Sequence, residues 1–234
     1  MYDHPAFFDG YQAMRSAAGG FNEALEQPAM RALLPAVQGL DIVDLGCGDG
    51  SLSRELAAAG AASVLAVDPS ARMLELARAR TSESRVRYEQ AFAEQLELPT
   101  GCADLVVSSL ALHYVADLPA LLAAIASWLR PNGTFLASME HPIVTAAPGR
   151  AMESGWVVDD YVDEGPRQTR WYVDDVVKYH RTVASIVTAV LDAGLTLTAL
   201  AEPAPTLPVA RDRPDLLVHR QRPALLVVRA QRSS

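Results

Sequence analysis

Cysteine is scarce in this chain of 234 residues: Cys47 and Cys102 are its two, far apart and without metal-type spacing. A disulfide framework and a cysteine-ligated zinc centre are therefore excluded, and a reducing cytoplasm is the expected location. Long apolar runs are lacking too, since Asp, Pro or Gly interrupts each one, and nothing reads as a bilayer span. The first residues carry neither a basic n-region nor an apolar h-region, so no secretory leader is expected. Positive charge is in deficit, with 20 Lys and Arg against 28 Asp and Glu, a net charge of -8 and a pI near 5.1. Such a surface repels phosphate backbones and anionic lipid. The late arginines, Arg211, Arg213, Arg220, Arg222 and Arg229, are diluted by Asp212 and Asp215 and have no interleaved aromatics. Neither nucleic acid nor membrane is an expected partner, and a monomer or homodimer is expected.

What is present is a globular composition, 50% hydrophobic and 21% charged. From Asp41 onward, short β-branched and Leu runs alternate with Ala- and Leu-rich stretches of helical period. Strands are predicted at "DIVDL", "SVLAVD", "VRYEQA", "DLVVSS" and "GTFLAS", and helices at "SLSRELAAA", "SARMLELARAR" and "DLPALLAAIASWLR". A repeated βα unit with near-continuous apolar strands predicts a parallel sheet covered on both faces. The rhythm stops at Glu140, where a polar, aromatic-rich segment runs to about Tyr172 and reads as a lid. Beyond it, "VDDVVKYHRTVASIVTAVLDAG" predicts one helix, "LTLTALAE" a strand, "PAPTLP" a connector and "PALLVVRA" a closing strand. The expected organisation is one domain over 1–234. It comprises a helical preface (1–38), an α/β core (39–139), a lid or acceptor segment (140–175) and a C-terminal part of the core (176–230).

The stretch "VDLGCGDG", Val43–Gly50, packs three glycines between a strand and a helix, where residues without a β-carbon let a ligand approach the backbone. A dinucleotide fingerprint requires its third glycine three positions after the second. Ser51 stands there, and Gly50 comes one residue early. A phosphate-binding loop of the G-x-x-x-x-G-K-[ST] type needs Lys followed by Ser or Thr, which is absent, and Asp44 and Asp49 oppose a phosphate. A cofactor with cationic groups and no phosphate suits those acids, and S-adenosylmethionine is such a molecule. Asp68, in "AVDPS", ends the second strand where a carboxylate accepts bonds from ribose hydroxyls.

These residues resemble the class I S-adenosylmethionine-dependent methyltransferases. "VDLGCGDG" is similar to their first motif, "AVDPSARML" to their second, "DLVVSSLALHYV" to the segment after the fourth strand, and "LRPNGTFLAS" to the lead into the fifth. The flanks "FFDGYQAMR", "NEALEQPAM", "MEHPIVTA", "YVDEGPR", "KYHRTV", "EPAPT" and "RPALLVV" resemble a bacterial subgroup of small-molecule or ubiquinone-type methyltransferases. The resemblance implies an α/β, Rossmann-like three-layer sandwich. Its seven-stranded sheet has an antiparallel last strand, with a helical preface and a lid insertion after strand five. It implies S-adenosylmethionine as cofactor, S-adenosylhomocysteine as product, no metal, and a small, aromatic or heterocyclic acceptor. On that basis Gly46, Cys47 and Gly48 line the methionine and ribose side, and Asp44 faces the ammonium through water. Asp68, Pro69 and Ser70 hold the ribose end, Met73 packs on adenine, and Ser109 and Leu110 supply backbone near the methionine. Phe92 occupies the place of the family's adenine-binding acid, which leaves Ala93 and Glu94 as that contact, and Tyr11 covers the cofactor. A non-catalytic module that binds the same cofactor and, more distantly, a nicotinamide-dependent oxidoreductase are the alternatives.

Methyl transfer from a sulfonium is an in-line displacement with a good leaving group, so positioning and water exclusion supply most of the acceleration. A proton acceptor helps where the nucleophile is a hydroxyl or a protonated amine. His113 follows the fourth strand, Glu140 and His141 end the fifth, and Tyr161 lies in the lid; these four are the catalytic candidates. Tyr179, His180 and Arg181 are consecutive on the predicted helix and so would not share one face.

Overall fold

Apolar strands with a buried side chain on both faces can close only a central sheet, and that is where this sequence places them. A computed structural model describes residues 22–146, 151–152, 155–171 and 173–234. In chain order the strands are β1 (Asp41–Leu45), β2 (Ser63–Asp68), β3 (Val86–Gln90), β4 (Ala103–Ser109), β5 (Leu129–Glu140), β6 (Ala151–Met152), β7 (Gly155–Trp156), β8 (Gly165–Trp171), β9 (Val173–His180), β10 (Leu195–Ala201) and β11 (Leu225–Arg232). Seven of them form one sheet in the order β10-β11-β5-β4-β1-β2-β3. Neighbours from β3 to β5 run parallel, and β11 is antiparallel to both β5 and β10. The expected seven-stranded sheet with its antiparallel last strand is thus the observed one.

The helices are α1 (Gln27–Leu33), α2 (Ser51–Ala58), α3 (Ala71–Arg80), α4 (Leu118–Trp128), α5 (Pro142–Ala146), α6 (Val183–Asp192) and α7 (Leu207–Asp212). Alternate strand residues divide between two cores, as the period of two requires. On one face Ile42, Val64, Leu105, Val107 and Leu136 pack with Met30 of α1 and Leu56 of α2. On the other, Val43, Val106 and Phe135 pack with Leu122 and Ile125 of α4 and Val190 of α6. Full burial of one such Leu, Ile or Phe contributes about 1.5–3 kcal/mol. Side-chain caps fix where helices start: Ser70 Oγ accepts from Met73 N at 3.2 Å, Asp117 Oδ1 from Ala120 N at 3.0 Å, and Thr182 Oγ1 from Ser185 N at 3.0 Å. At the amino ends of β1 and β4, Arg130 bridges Asp41 (2.9 Å) and Asp104 (2.5 Å), which leaves the carboxyl ends for the site.

Two expectations change. The helix predicted over 173–194 is two elements: β9 pairs antiparallel with β8, and the helix starts only after the Thr182 cap. Tyr179 and Arg181 consequently fall on one side of the extended chain and His180 on the other. From the end of the "PAPTLP" connector to the last strand, where no element was predicted, the chain forms α7 and a 3-10 stretch, Pro214–Arg220. In the preface, the single π-helical turn Asn22–Glu26 leads straight into α1, where Pro28 occupies the first turn and needs no N–H partner. Tyr11 and Phe7 lie outside the described residues.

Candidate active site

The sheet order reverses between β1 and β4, and the crevice beyond the strand carboxyl ends at such a point is where open α/β sheets bind ligands. There β1 gives way to Gly46, Gly48 and Gly50, whose φ angles of 74°, 55° and 74° lie in the left-handed region. The turn is stitched to β2: Gly46 N and Cys47 N donate to Val67 O at 2.8 and 3.0 Å, and Gly48 N donates to Asp68 Oδ2 at 2.8 Å. A β-carbon on Gly46 would stand 2.3 Å from Ala111 Cβ, so the turn needs glycine for close approach as well as for φ.

Asp68 is the joint of this cradle. Its Oδ1 accepts from Ser70 N at 2.9 Å, so one carboxylate fastens the glycine turn to the start of α3. Ser70 is the α3 cap, Pro69 O accepts from Gln90 Nε2 at 3.1 Å, and Met73 and Cys47 are buried. Burial raises the Cys47 thiol far above its ordinary value, with Asp44 and Asp68 adding to it. That thiol is an inert packing group.

Asp44 is buried behind the turn and accepts from Ser53 Oγ at 2.5 Å. Burial raises its carboxyl to about 7; the Ser53 bond opposes the rise, and the charges of Asp68 and Glu26 add to it. Asp49 plays a different part: it is ion-paired with Arg80 at 2.9 Å and accepts from Ser51 N at 3.3 Å. Its charge is used inside the fold, so the electrostatic case against a phosphate rests on the other acids. Sequence reasoning missed Glu26. Its carboxylate is 2% exposed and Oε1 accepts from Ser109 Oγ at 2.8 Å and Ser138 Oγ at 2.7 Å. Ser138 Oγ in turn accepts from Leu110 N at 3.0 Å, and Leu110 holds a φ of 54°. The one legible signal was an acid inside the otherwise amphipathic "NEALEQPAM".

Ala93 and Glu94 stand on a 3-10 turn, Ala93–Gln95, after β3. Glu94 Oε1 accepts from Ala116 N at 2.7 Å, which ties that turn to the segment leading into α4. Phe92 is 52% exposed.

Ser109 to Tyr114 connects the cradle to a small pocket at the β5 end. Ala111 packs on Gly46, and the next two residues, Leu112 and His113, line the pocket together with Met139, Glu140, Tyr179 and Arg181. His113 is buried, and its Nδ1 accepts from Glu140 N at 3.4 Å. Burial lowers it to about 4; the charge of Glu140 opposes the drop, and the cations Lys178 and Arg181 add to it. The imidazole is neutral at pH 7, with its proton on Nε2. Glu140 pairs with the buried Lys178 at 2.5 Å. Burial works to raise Glu140, but the His113 ring and the Lys178 ammonium beside it together prevail and hold it below the usual carboxylate range. Lys178 Nζ also stands 5.9 Å above the Tyr114 ring. Arg181 Nη2 donates to Val115 O (2.6 Å) and Ala116 O (2.8 Å), clamping β9 to the turn after β4.

The other two catalytic candidates are placed elsewhere. His141 Nδ1 accepts from Ile143 N at 3.1 Å, Nε2 bonds Glu202 Oε1 at 2.9 Å, and its carbonyl receives Val144 N. It starts α5. Tyr161 Oη accepts from Val183 N at 3.2 Å at the first turn of α6, and its carbonyl bonds His180 Nε2 at 3.0 Å. The reading of 173–194 as a helix gave Tyr179, His180 and Arg181 no common face. His180 bonds Tyr161 O and Thr145 Oγ1, while Glu164 accepts from Thr182 N. Among the described residues no group of three or more His, Cys, Asp or Glu is placed to hold a metal ion, and no helix is long and apolar enough to cross a membrane.

Residues 42–133 match the family model described as a methyltransferase domain. A crystal structure of an S-adenosylmethionine dependent methyltransferase from Mesorhizobium loti is 43% identical, with a TM-score of 0.85 over 88% of this chain and 97% of that one. An uncharacterized protein of Haemophilus influenzae is 33% identical over 217 residues, which are 87% of this chain and 85% of that protein. Malonyl-[acyl-carrier protein] O-methyltransferase of Pectobacterium atrosepticum is 37% identical over 127 residues, and there the match spans only 52% of this chain and 49% of the relative. A glycine cradle stitched to a strand-end aspartate, on a sheet of this order and with these relatives, identifies the chain as a member of the S-adenosylmethionine-dependent methyltransferases.

Proposed function

We propose that this enzyme methylates a small organic acceptor, aromatic or heterocyclic, that widens the small pocket between the β4 and β5 ends and the end of β9 as it binds. The observation that carries the reading is the short Ser109–Tyr114 bridge. Ala111 packs on the glycine cradle while Leu112 and His113 line the pocket, so a donor at one end and an acceptor at the other are a few residues apart. Tyr179 supplies a flat apolar wall that suits an aromatic ring.

The cradle fits the cofactor in chemistry and in shape. Gly46 and Gly48 expose backbone, Asp68 offers an anchored carboxylate to ribose hydroxyls, and buried acids answer cationic groups. In this reading Asp44, Gly46, Cys47, Gly48, Asp68 and Ser70 hold the ribose and methionine part. Pro69, Met73, Ala93 and Glu94 flank the adenine, and Ser109 and Leu110 close the methionine end. When bound, S-adenosylmethionine supplies a methyl group on a good leaving group.

At the acceptor, His113 acts as a donor through Nε2–H, because Nδ1 already accepts from the Glu140 backbone. Glu140 is the group able to take a proton from an acceptor hydroxyl or amine, and Lys178 keeps it ionised. His141 and Tyr161 act through others, by setting the starts of α5 and α6. The test combines calorimetry of cofactor binding with methyl-transfer assays on phenols, hydroxylated heterocycles, amines and carboxylates. Glu140→Gln is expected to leave cofactor affinity within about twofold and to lower kcat/KM by about 10²–10⁴, the usual size of acid–base contributions. Tight cofactor binding with no transfer to any aromatic acceptor, or a Glu140→Gln enzyme of full activity, would overturn it.

A further inference from the structure

We propose that Glu26 is a cofactor-contacting residue: its carboxylate receives the ammonium of the cofactor's amino-acid part, and so couples cofactor binding to docking of the segment that carries it. The inference rests on the reading that the cofactor's methionine part lies at the Ser109–Leu110 end of the cradle. Three observations carry it.

First, the placement of Glu26 is costly unless something answers its charge. It is 2% exposed, beyond the carboxyl ends of β4 and β5, and among the described residues neither it nor Asp44 forms an ion pair. The cation nearest in sequence, Arg31, is committed to Glu55 through Nε (2.7 Å) and Nη2 (2.9 Å). A buried carboxylate held by hydroxyls alone has paid only part of its desolvation.

Second, the hydrogen bonds point one way. Ser109 and Ser138 both donate to Oε1, and Ser138 Oγ is itself fed by Leu110 N. Those bonds fix the carboxylate and leave Oε2 unengaged among the described residues, beside the strand end whose backbone faces the methionine part.

Third, Glu26 shares the crevice with Asp44 and Asp68, close enough for its charge to raise Asp44. Three acids in one crevice repel one another, and a ligand that brings an ammonium and a sulfonium removes that repulsion on binding. Glu26 arrives from the turn Asn22–Glu26, far in sequence from the strands it meets, so relief of the repulsion also holds the preface down.

The test uses three ligands: S-adenosylmethionine and S-adenosylhomocysteine carry the amino-acid part with its ammonium, and 5′-methylthioadenosine lacks that part. Calorimetry is run on wild type, Glu26→Gln, Glu26→Asp and, as control, Asp68→Ala. Glu26→Gln can still accept both serine bonds; it is expected to weaken the two ammonium ligands about tenfold or more and 5′-methylthioadenosine less than twofold. Glu26→Asp, which keeps the charge but withdraws it, should fall between and serves the same comparison if the Gln variant does not fold. Amide exchange over Asn22–Leu33 should slow with S-adenosylhomocysteine in wild type and not in Glu26→Gln. Equal weakening of all three ligands makes Glu26 a packing residue and overturns the proposal, as does no weakening at all. If instead Asp68→Ala binds every ligand normally, the cofactor does not lie in this cradle, and the broader reading fails separately.

Discussion

The β1–β2–β4 end of the crevice and the β5–β9 end solve the burial of charge in opposite ways. At the first, Glu26 and Asp44 are buried and met by serine hydroxyls, and Asp68 is held by backbone N–H groups. At the second, Glu140 is matched by Lys178, and the His113 imidazole is kept neutral. One end is left with a surplus of negative charge and the other is balanced internally. A surplus is tolerable where a cationic ligand resolves it, whereas a balanced set holds a proton acceptor ready whether or not a ligand is present.

Substitutions that separate the two ends sharpen this contrast, and the largest effect belongs to the cradle. Asp68→Ala removes the acceptor for Gly48 N and Ser70 N and, on the proposed reading, the carboxylate offered to the ribose. Cofactor affinity should fall by about 100-fold or more, roughly 2.8 kcal/mol, by calorimetry. Comparable affinity in this variant would break the comparison at once. Gly46→Ala comes next, since its β-carbon would meet Ala111 at 2.3 Å with φ at 74°. It should cost about 2–4 kcal/mol in a denaturant titration.

On the balanced side, Lys178→Met strands Glu140 as a half-buried, unmatched carboxylate. Its pKa should rise, so the acidic limb of the pH–rate profile moves toward neutrality and kcat/KM falls about 10–100-fold while cofactor affinity stays within about twofold. A shift in cofactor affinity as large as the shift in rate would mean that the two ends are not separable. The smallest effect is expected from Asp44→Asn. A carboxyl raised from 3.8 to about 7 in the folded state contributes stability below pH 4 that is lost as pH climbs through 7. Removing it should therefore stabilise the ligand-free protein at pH 8 but not at pH 4, with about 2–4 °C of Tm per kcal/mol for a chain of this size. In wild type, cofactor affinity should rise with pH up to about 8, with protons released on binding near pH 6, because the cationic ligand favours ionised Asp44. Proton uptake there would contradict the assignment.

Much of this was legible before any coordinate. The strands of the core alternate apolar residues across two buried faces, and Ser70 and Asp117 mark their helix starts by cap chemistry. The glycine turn and Asp68 were readable as a pair because their spacing is local to one βα unit. The segment after Val173 misled for a physical reason. Its valines at 173, 176 and 177 sit at the i, i+3, i+4 spacing of a helical stripe, and only pairing with β8 makes them extended. That error also hid one wall of the pocket, since Tyr179 and Arg181 share a side only on a strand.

The order of residues alone determined the α/β class, the cofactor, the glycine cradle and the aspartate that anchors it, because each depends on contacts within a few dozen residues and on backbone freedom that glycine confers wherever it stands. What the tertiary structure decided is which distant side chains meet. Glu26 reaches Ser138 across 112 residues, Lys178 reaches Glu140 across 38, and the Glu140 N–H donates to His113 Nδ1, which leaves the imidazole proton on Nε2. Those meetings follow from sheet order and strand register, which set neighbours by packing of the whole chain, and no local pattern of residues encodes them.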